Sequence, residues 1–270
     1  MALSFLGMGP IGIFDSGVGG LSVWREIIKV LPSESTIYYA DNANCPYGDK
    51  SQQDIIRLAD KVTTFLIEQG CSVIVVACNT ATAAAIDYLR STYSVPFVGM
   101  EPAVKPAAVK SKSGVIGVLA TRGTFNGRLF QETSRKYAAD VKMLIQPGYG
   151  LVELVESGDF SSPRVYDLLH QYIDPMLDAG ADHVVLGCTH YPFLAEAIND
   201  IAKRKLTIVD PAPAVALQVK RVVGDVLNEI VIPAYRFYSS GDCASMKRIV
   251  ELIASQQVVD EQKISFDCII

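Results

Sequence analysis

Gly70-Cys-Ser-Val-Ile-Val-Val-Ala-Cys78-Asn-Thr and Gly180-Ala-Asp-His-Val-Val-Leu-Gly-Cys188-Thr-His are the two stretches that decide the fold. Each begins at a glycine, runs through an apolar segment to a cysteine eight residues on, and then turns polar. The cysteines lie 110 residues apart, and two other landmarks recur in the same order at nearly that spacing. Ile11-Gly12-Ile13-Phe14-Asp15-Ser16 returns as Ile116-Gly117-Val118-Leu119-Ala120-Thr121, an offset of 105, and Glu101-Pro102-Ala103 returns as Asp210-Pro211-Ala212, an offset of 109. Val/Ile runs resemble one another by chance, but shared order and matched residues at the run ends argue for duplication. A period this long is not that of a solenoid. It predicts two related lobes, a discontinuous first one over 1–98 plus 210–270 and a second over 99–209. Facing each other, they bring one thiol from each half to a common cleft.

Outward from these landmarks, apolar runs alternate with helical patterns along the whole chain. Strands are expected at 11–14, 36–40, 72–77, 97–100, 115–120, 141–145, 183–187 and 207–209. Helical patterns cover 53–68, 82–90, 124–137, 165–177 and 214–228, with another helix starting near Leu21. Such alternation predicts βαβ units on parallel sheets, and near-continuous apolar strands fit sheets covered on both faces. The expected class is therefore α/β: two pseudo-symmetric lobes, each a mostly parallel sheet flanked by helices, with the active site in the cleft between them. Ligands of open α/β sheets bind at the carboxyl ends of the strands, where all the landmark residues fall.

The 270 residues are 50% apolar and 20% charged, a composition suited to a folded α/β protein. A net charge of −5 argues against a general nucleic-acid binder. No apolar run approaches the length of a membrane span, and the short apolar start, Met1 to Gly9, lacks the basic region of a signal peptide. A cytoplasmic protein without nucleic-acid or membrane partners is expected. The six cysteines show no Cys-x-x-Cys spacing, so reduced thiols rather than a disulfide framework are expected.

Cys78 and Cys188, each followed by hydrogen-bonding side chains where a helix should start, are candidates for thiols whose ionisation the helix dipole assists, against an ordinary pKa of about 8.5. The alternative is two buried small hydrophobes. Asp15-Ser-Gly-Val-Gly-Gly20 lacks dinucleotide-loop spacing. Its glycines permit close backbone approach, and its helix start offers N–H groups to an anion or simply makes a tight turn. Asp15 can orient or accept a proton. His190 is the strongest acid/base candidate among the three histidines, His170 and His183 fitting structural or surface roles. Glu156, on its own, fits an exposed carboxylate. Tyr47 and the backbone of Gly48 can donate to a carboxylate, although Pro46-Tyr47-Gly48 is also ordinary turn chemistry. Cys78, Cys188 and His190 lack a usual zinc spacing, so no metal site is expected.

Two matched thiols across a cleft suit one chemistry without a cofactor, removing a proton from one face of a carbon and delivering one to the other. The thiolate cost is small, and the carbanion must be stabilised by preorganised donors. Asn79, Thr80, Thr121 and Thr189 are the candidates.

Asp15-Ser-Gly-Val-Gly-Gly-Leu, Pro46-Tyr-Gly, Cys78-Asn-Thr-Ala-Thr, Gly187-Cys-Thr-His-Tyr-Pro192 and Asp210-Pro-Ala resemble, in order and over nearly the whole chain, the motif set of the bacterial glutamate racemases. The resemblance implies cofactor-independent interconversion of L- and D-glutamate, supplying peptidoglycan synthesis, with Cys78 and Cys188 as the acid/base pair. Substrate contacts would map onto Asp15, Ser16, Tyr47, Gly48, Asn79, Thr80, Thr189 and His190. Asp15, Glu156 and His190 would assist the thiols, and a homodimer is compatible with the family. Two features depart from the pattern. Gln146-Pro-Gly-Tyr149 lacks a cysteine many relatives carry there, and Cys45 is without an assigned role. An aspartate or hydantoin racemase, a related decarboxylase, or a binding protein for a small acid remain as alternatives.

Overall fold

The computed structural model describes residues 9–137, 140–224, 232–257 and 259–268. The amino-terminal part alternates β1 (Ile11–Asp15), α1 (Leu21–Val30), β2 (Thr36–Ala40), α2 (Gln52–Glu68), β3 (Val73–Val76), α3 (Asn79–Thr92) and β4 (Phe97–Val98). After α4 (Val104–Lys110), the middle repeats the plan with β5 (Val115–Ala120), α5 (Arg122–Phe125), α6 (Arg128–Tyr137), β6 (Lys142–Pro147), α7 (Leu151–Glu156), α8 (Pro163–Asp178), β7 (His183–Gly187), α9 (Ala195–Ala202) and β8 (Thr207–Val209). The chain then adds α10 (Ala212–Val223), β9 (Tyr235–Ser239), α11 (Ala244–Gln257) and β10 (Ile264–Cys268).

Two sheets result, ordered β10-β9-β2-β1-β3-β4 and β6-β5-β7-β8, with every pairing parallel. Without the two tail strands, the orders β2-β1-β3-β4 and β6-β5-β7-β8 are identical. The duplication expected from the recurring landmarks is thus a repeat of topology as well as of residues.

Burial explains why these strands read as solid apolar runs. Ile37, Ile74 and Val76 of the first sheet pack under α2 and α3 with Ile55, Leu66 and Leu89. The opposite face, with Ile11, Ile13 and Val75, joins Trp24 of α1 in a cluster that continues into α7, α8 and β7 through Leu151, Ile173 and Val184. Ile116, Val118 and Val185 close the remaining face against Val104, Ala107 and Phe130. The central strands β1, β3, β5 and β7 are covered on both sides, as parallel sheets require.

The glycine that starts each landmark stretch has a conformational cause. Gly70 and Gly180 follow α2 and α8 with φ of 82° and 80°. The amides of Cys71 and Ala181 bond back to the carbonyls of Leu66 and Met176, while those of the glycines reach Ile67 and Leu177. Both are Schellman ends, which need a left-handed residue. No atom lies within 4 Å of an added Cβ at either glycine, so alanine would meet only backbone strain. Gly70→Ala and Gly180→Ala should each cost about 1 kcal/mol. Thermal melts of the two variants should show nearly equal drops; a large drop in one alone would break the equivalence.

Three expectations change. The single helix expected over 124–137 is broken at Asn126–Gly127 into α5 and α6. There a Cβ on Gly127 would fall 2.6 Å from that of Ala83, so the chain turns where α3 packs close. The helix expected over 214–228 begins earlier and ends at Val223, capped by Gly224 with φ of 76°, and residues 225–228 lie outside the described residues. Reduced thiols hold for Cys45, Cys71, Cys78 and Cys188, but Cys243 and Cys268 form a disulfide. Parallel pairing of β10 with β9 brings those two within a Cα–Cα distance of 6.0 Å, a proximity that spacing along the chain does not reveal.

Candidate active site

Parallel register delivers the candidate residues together. Phe14 pairs with Val76, so Asp15 and Cys78 leave the first sheet side by side; Ala120 pairs with Gly187, so Thr121 and Cys188 leave the second together. Cys78 is the N-cap of α3, and its Sγ accepts the Ala81 amide at 3.4 Å, with Ser16 Oγ 3.9 Å away. Cys188 precedes a 3-10 turn at Tyr191–Leu194 instead of an α-helix, so the expected helix start exists only at Cys78. Both cysteines are buried and line one cavity with Ser16, Tyr47, Gly48, Asn79, Thr80, Thr121, Thr189 and His190. Its open volume is about 10 Å³, roughly what one water needs.

The glycine-rich loop between β1 and α1 holds the two halves together. Asp15 Oδ2 accepts from the Gly20 amide at 2.7 Å and from Thr189 Oγ1 at 3.2 Å. Ser22 Oγ donates to the Thr189 carbonyl at 2.9 Å, and the Val18 amide donates to Glu156 Oε1 at 2.8 Å. The N–H groups expected to await an anion at this helix start are therefore taken by the protein's own carboxylates, which the positive helix end favours. Glycine is needed here for space. A Cβ on Gly17 would collide with the Glu156 carboxylate, and one on Gly19 with the His190 ring.

His190 stands between its partners, with Nε2 2.5 Å from Glu156 Oε1 and Nδ1 3.6 Å from Cys188 Sγ. The isolated-carboxylate reading of Glu156 thus fails: its side chain is only 18% exposed and meets His190, Val18 and, at 3.5 Å, Asn42 Nδ2. Thr80 and Thr121 join hydroxyls across the halves at 2.8 Å, and Thr124 completes the cluster 3.0 Å from Thr121. Tyr47 donates its hydroxyl to Asp41 at 2.6 Å, so this segment is left with its backbone to offer a ligand. Asn79 is the exception to this bonding. Its amide nitrogen and oxygen are both buried with no partner among the described residues, a costly arrangement unless a ligand supplies one.

Residues 11–219 match the Asp/Glu/hydantoin racemase family. The chain belongs to that family. A glutamate racemase of Herpetosiphon aurantiacus is 48% identical over 243 residues, covering 89% of this chain and 96% of its own. The Escherichia coli glutamate racemase, solved with L-glutamate and the activator UDP-MurNAc-Ala, superposes with a TM-score of 0.82 at 30% identity, covering 97% of this racemase-family chain and 99% of its own. The Francisella tularensis enzyme, solved with D-glutamate, gives 0.78 at 28% identity, with coverage of 96% and 97%.

In this family member the site is electrostatically lopsided. Burial, then the neighbouring Asp15, pushes the Cys78 thiol well above its ordinary range. Burial also raises Asp15, outweighing the pull of His190 and Cys78. For His190 burial disfavours charge, but hydrogen bonds to Cys188, Cys45 and Glu156 more than offset it and hold the imidazolium well above the usual histidine value. Burial likewise raises Glu156, yet the His190 bond and charge prevail and its carboxyl ends below the ordinary value.

Asn42, Asp41, Thr124, Ser22 and Cys45 were not expected at the site. Asp41 alone carried a usable signal, since it directly follows β2 on the carboxyl edge.

Proposed function

We propose that the chain is a cofactor-independent glutamate racemase working through two thiols. The observation that carries the reading is the pair itself: Cys78 from the first sheet and Cys188 from the second line one cavity. The names of the relatives, and the E. coli and F. tularensis complexes with L- and D-glutamate, supply the substrate. One sulfur, as thiolate, takes the α-proton and becomes a thiol, leaving the C–H electron pair on the α-carbon. The other, as thiol, gives its proton to the opposite face and becomes the thiolate. The reverse reaction exchanges their roles. Burial keeps Cys78 in the thiol form at rest, while His190 holds a proton beside Cys188 under the orienting contact of Glu156.

Asp15, Glu156 and His190 assist the thiols. Ser16, Tyr47, Gly48, Asn79, Thr80, Thr121 and Thr189, with Asp15 and His190, form the substrate-binding set, in which the Asn79 amide finds its missing partners on the substrate. The lobes are 1–98 plus 210–270 and 99–209, and the product D-glutamate feeds peptidoglycan synthesis in the cytoplasm, with a homodimer as the working form. Among the described residues no helix is long and apolar enough to cross a membrane.

Circular dichroism of pure L- and pure D-glutamate with dialysed protein in deuterium oxide tests the reading. Both solutions should decay to zero ellipticity, with deuterium at the α-carbon of the inverted product. Inversion of aspartate or a hydantoin instead would change the substrate. Inertness of folded, reduced protein toward all of them would overturn the function.

A further inference from the structure

A second cleft approaches the His190–Glu156 pair. It has an open volume of about 470 Å³ and shares only Pro46 and Val152 with the sulfur cavity. Glu153, Glu156 and Asp242 line it together with Cys45, and no lysine or arginine does. A cleft of one sign concentrates ions of the other. At its floor, the Cys45 sulfur, a Glu156 carboxylate oxygen and a His190 ring nitrogen all lie within 4.8 Å of one another. Asn42 stands beside them, its Nδ2 3.5 Å from Glu156 Oε2 and its Oδ1 buried without a partner among the described residues.

We propose that Cys45, Glu156 and His190 form a binding site for a soft divalent cation of the zinc class, entered through this acidic cleft. One thiolate, one imidazole and one carboxylate are donors zinc accepts, at about 2.3, 2.0 and 2.1 Å respectively. Gathering them on an ion asks for side-chain movements on the order of 1 Å, and the unpartnered side-chain carbonyl of Asn42, the residue beside Glu156, is the candidate fourth donor. Binding replaces the Cys45 thiol proton and the proton shared by His190 and Glu156, both released to solvent. An ion here takes the place of the hydrogen bond between His190 and Glu156. If the chain is the racemase proposed above, zinc is then a reversible inhibitor acting through a cysteine that takes no part in proton transfer.

Calorimetric titration of the reduced, dialysed full chain with zinc chloride tests the site, with cobalt(II) as a spectroscopic probe. The parent should bind one equivalent and show a thiolate-to-cobalt absorption. Cys45→Ala should lose that absorption and weaken zinc binding by at least about tenfold. Its racemisation, measured relative to its own metal-free rate, should resist zinc where the parent's is inhibited. Unchanged cobalt absorption and zinc affinity in Cys45→Ala, which would place the metal on Cys78 and Cys188, overturns the proposal, as does failure of the parent to bind. The titration reads the site without reference to turnover. Metal binding in a chain that does not racemise keeps the site and removes the proposed function, and racemisation without binding does the opposite.

Discussion

Cys78→Ser and Cys188→Ser should each lose racemisation by about 10²- to 10⁴-fold, the usual worth of a positioned acid/base group. Serine is close in shape to cysteine, and both positions tolerate a small polar atom: Cys78 Sγ already accepts an amide hydrogen, and Cys188 Sγ already faces an imidazole. Far-ultraviolet circular dichroism and melting should therefore stay near the parent's. The sharper result lies in the isotope. Each variant keeps one thiol, able to reach one face of the α-carbon. In deuterium oxide, one glutamate enantiomer should exchange its α-proton without inverting while the other stays inert, and the two variants should show opposite preferences. Near-normal inversion in both directions by either variant would sink the two-thiol mechanism.

Gly19→Ala is expected to cost nearly as much without touching a reacting group. An added Cβ would occupy space now held by the His190 ring. That ring is 2% exposed and fixed by Glu156 at Nε2 and Cys188 at Nδ1, so it cannot slide aside without losing a partner. Displacements of about 1 Å at a reacting geometry cost on the order of 10² in rate, and kcat/KM should fall by about that factor. Gly70→Ala serves as the control, since it strains the backbone remote from the cavity and should leave kcat/KM unchanged. A folded Gly19→Ala protein with the parent's kcat/KM would show that the His190 position is not needed.

The fold was legible where local pattern and burial coincide. β1, β3, β5 and β7 are covered on both faces, so selection for packing left nearly pure apolar runs, and their shared order exposed the duplication. β10 escaped notice because it is an edge strand with both faces partly open, Ser265, Asp267 and Cys268 being exposed; its register with β9 also hid the disulfide. Each candidate taken from the cysteine motifs lies within a few residues of a strand end, a rule visible in one dimension. The His190 pairing with Glu156 spans 34 residues and the Val18 amide bond to Glu156 spans 138. Neither contact leaves a trace in local composition. Cys45 had no assigned role and Asn42 was not singled out, for the same reason.

The unequal surroundings of the two sulfurs have a kinetic consequence. Cys78 has Ser16 and Asp15 for company, and Cys188 has an imidazolium backed by a carboxylate. Mirror-image substrates nevertheless have identical free energies in water, so their equilibrium constant is one whatever the protein does. For the proposed reaction this forces kcat/KM to be the same from L- and from D-glutamate. The lopsided site can alter only how that shared ratio is divided. If one direction turns over faster at saturation, its substrate must have a higher KM by the same factor. A twofold-like scaffold with chemically unlike halves thus sets a preferred direction only when the site is full, and none when substrate is scarce.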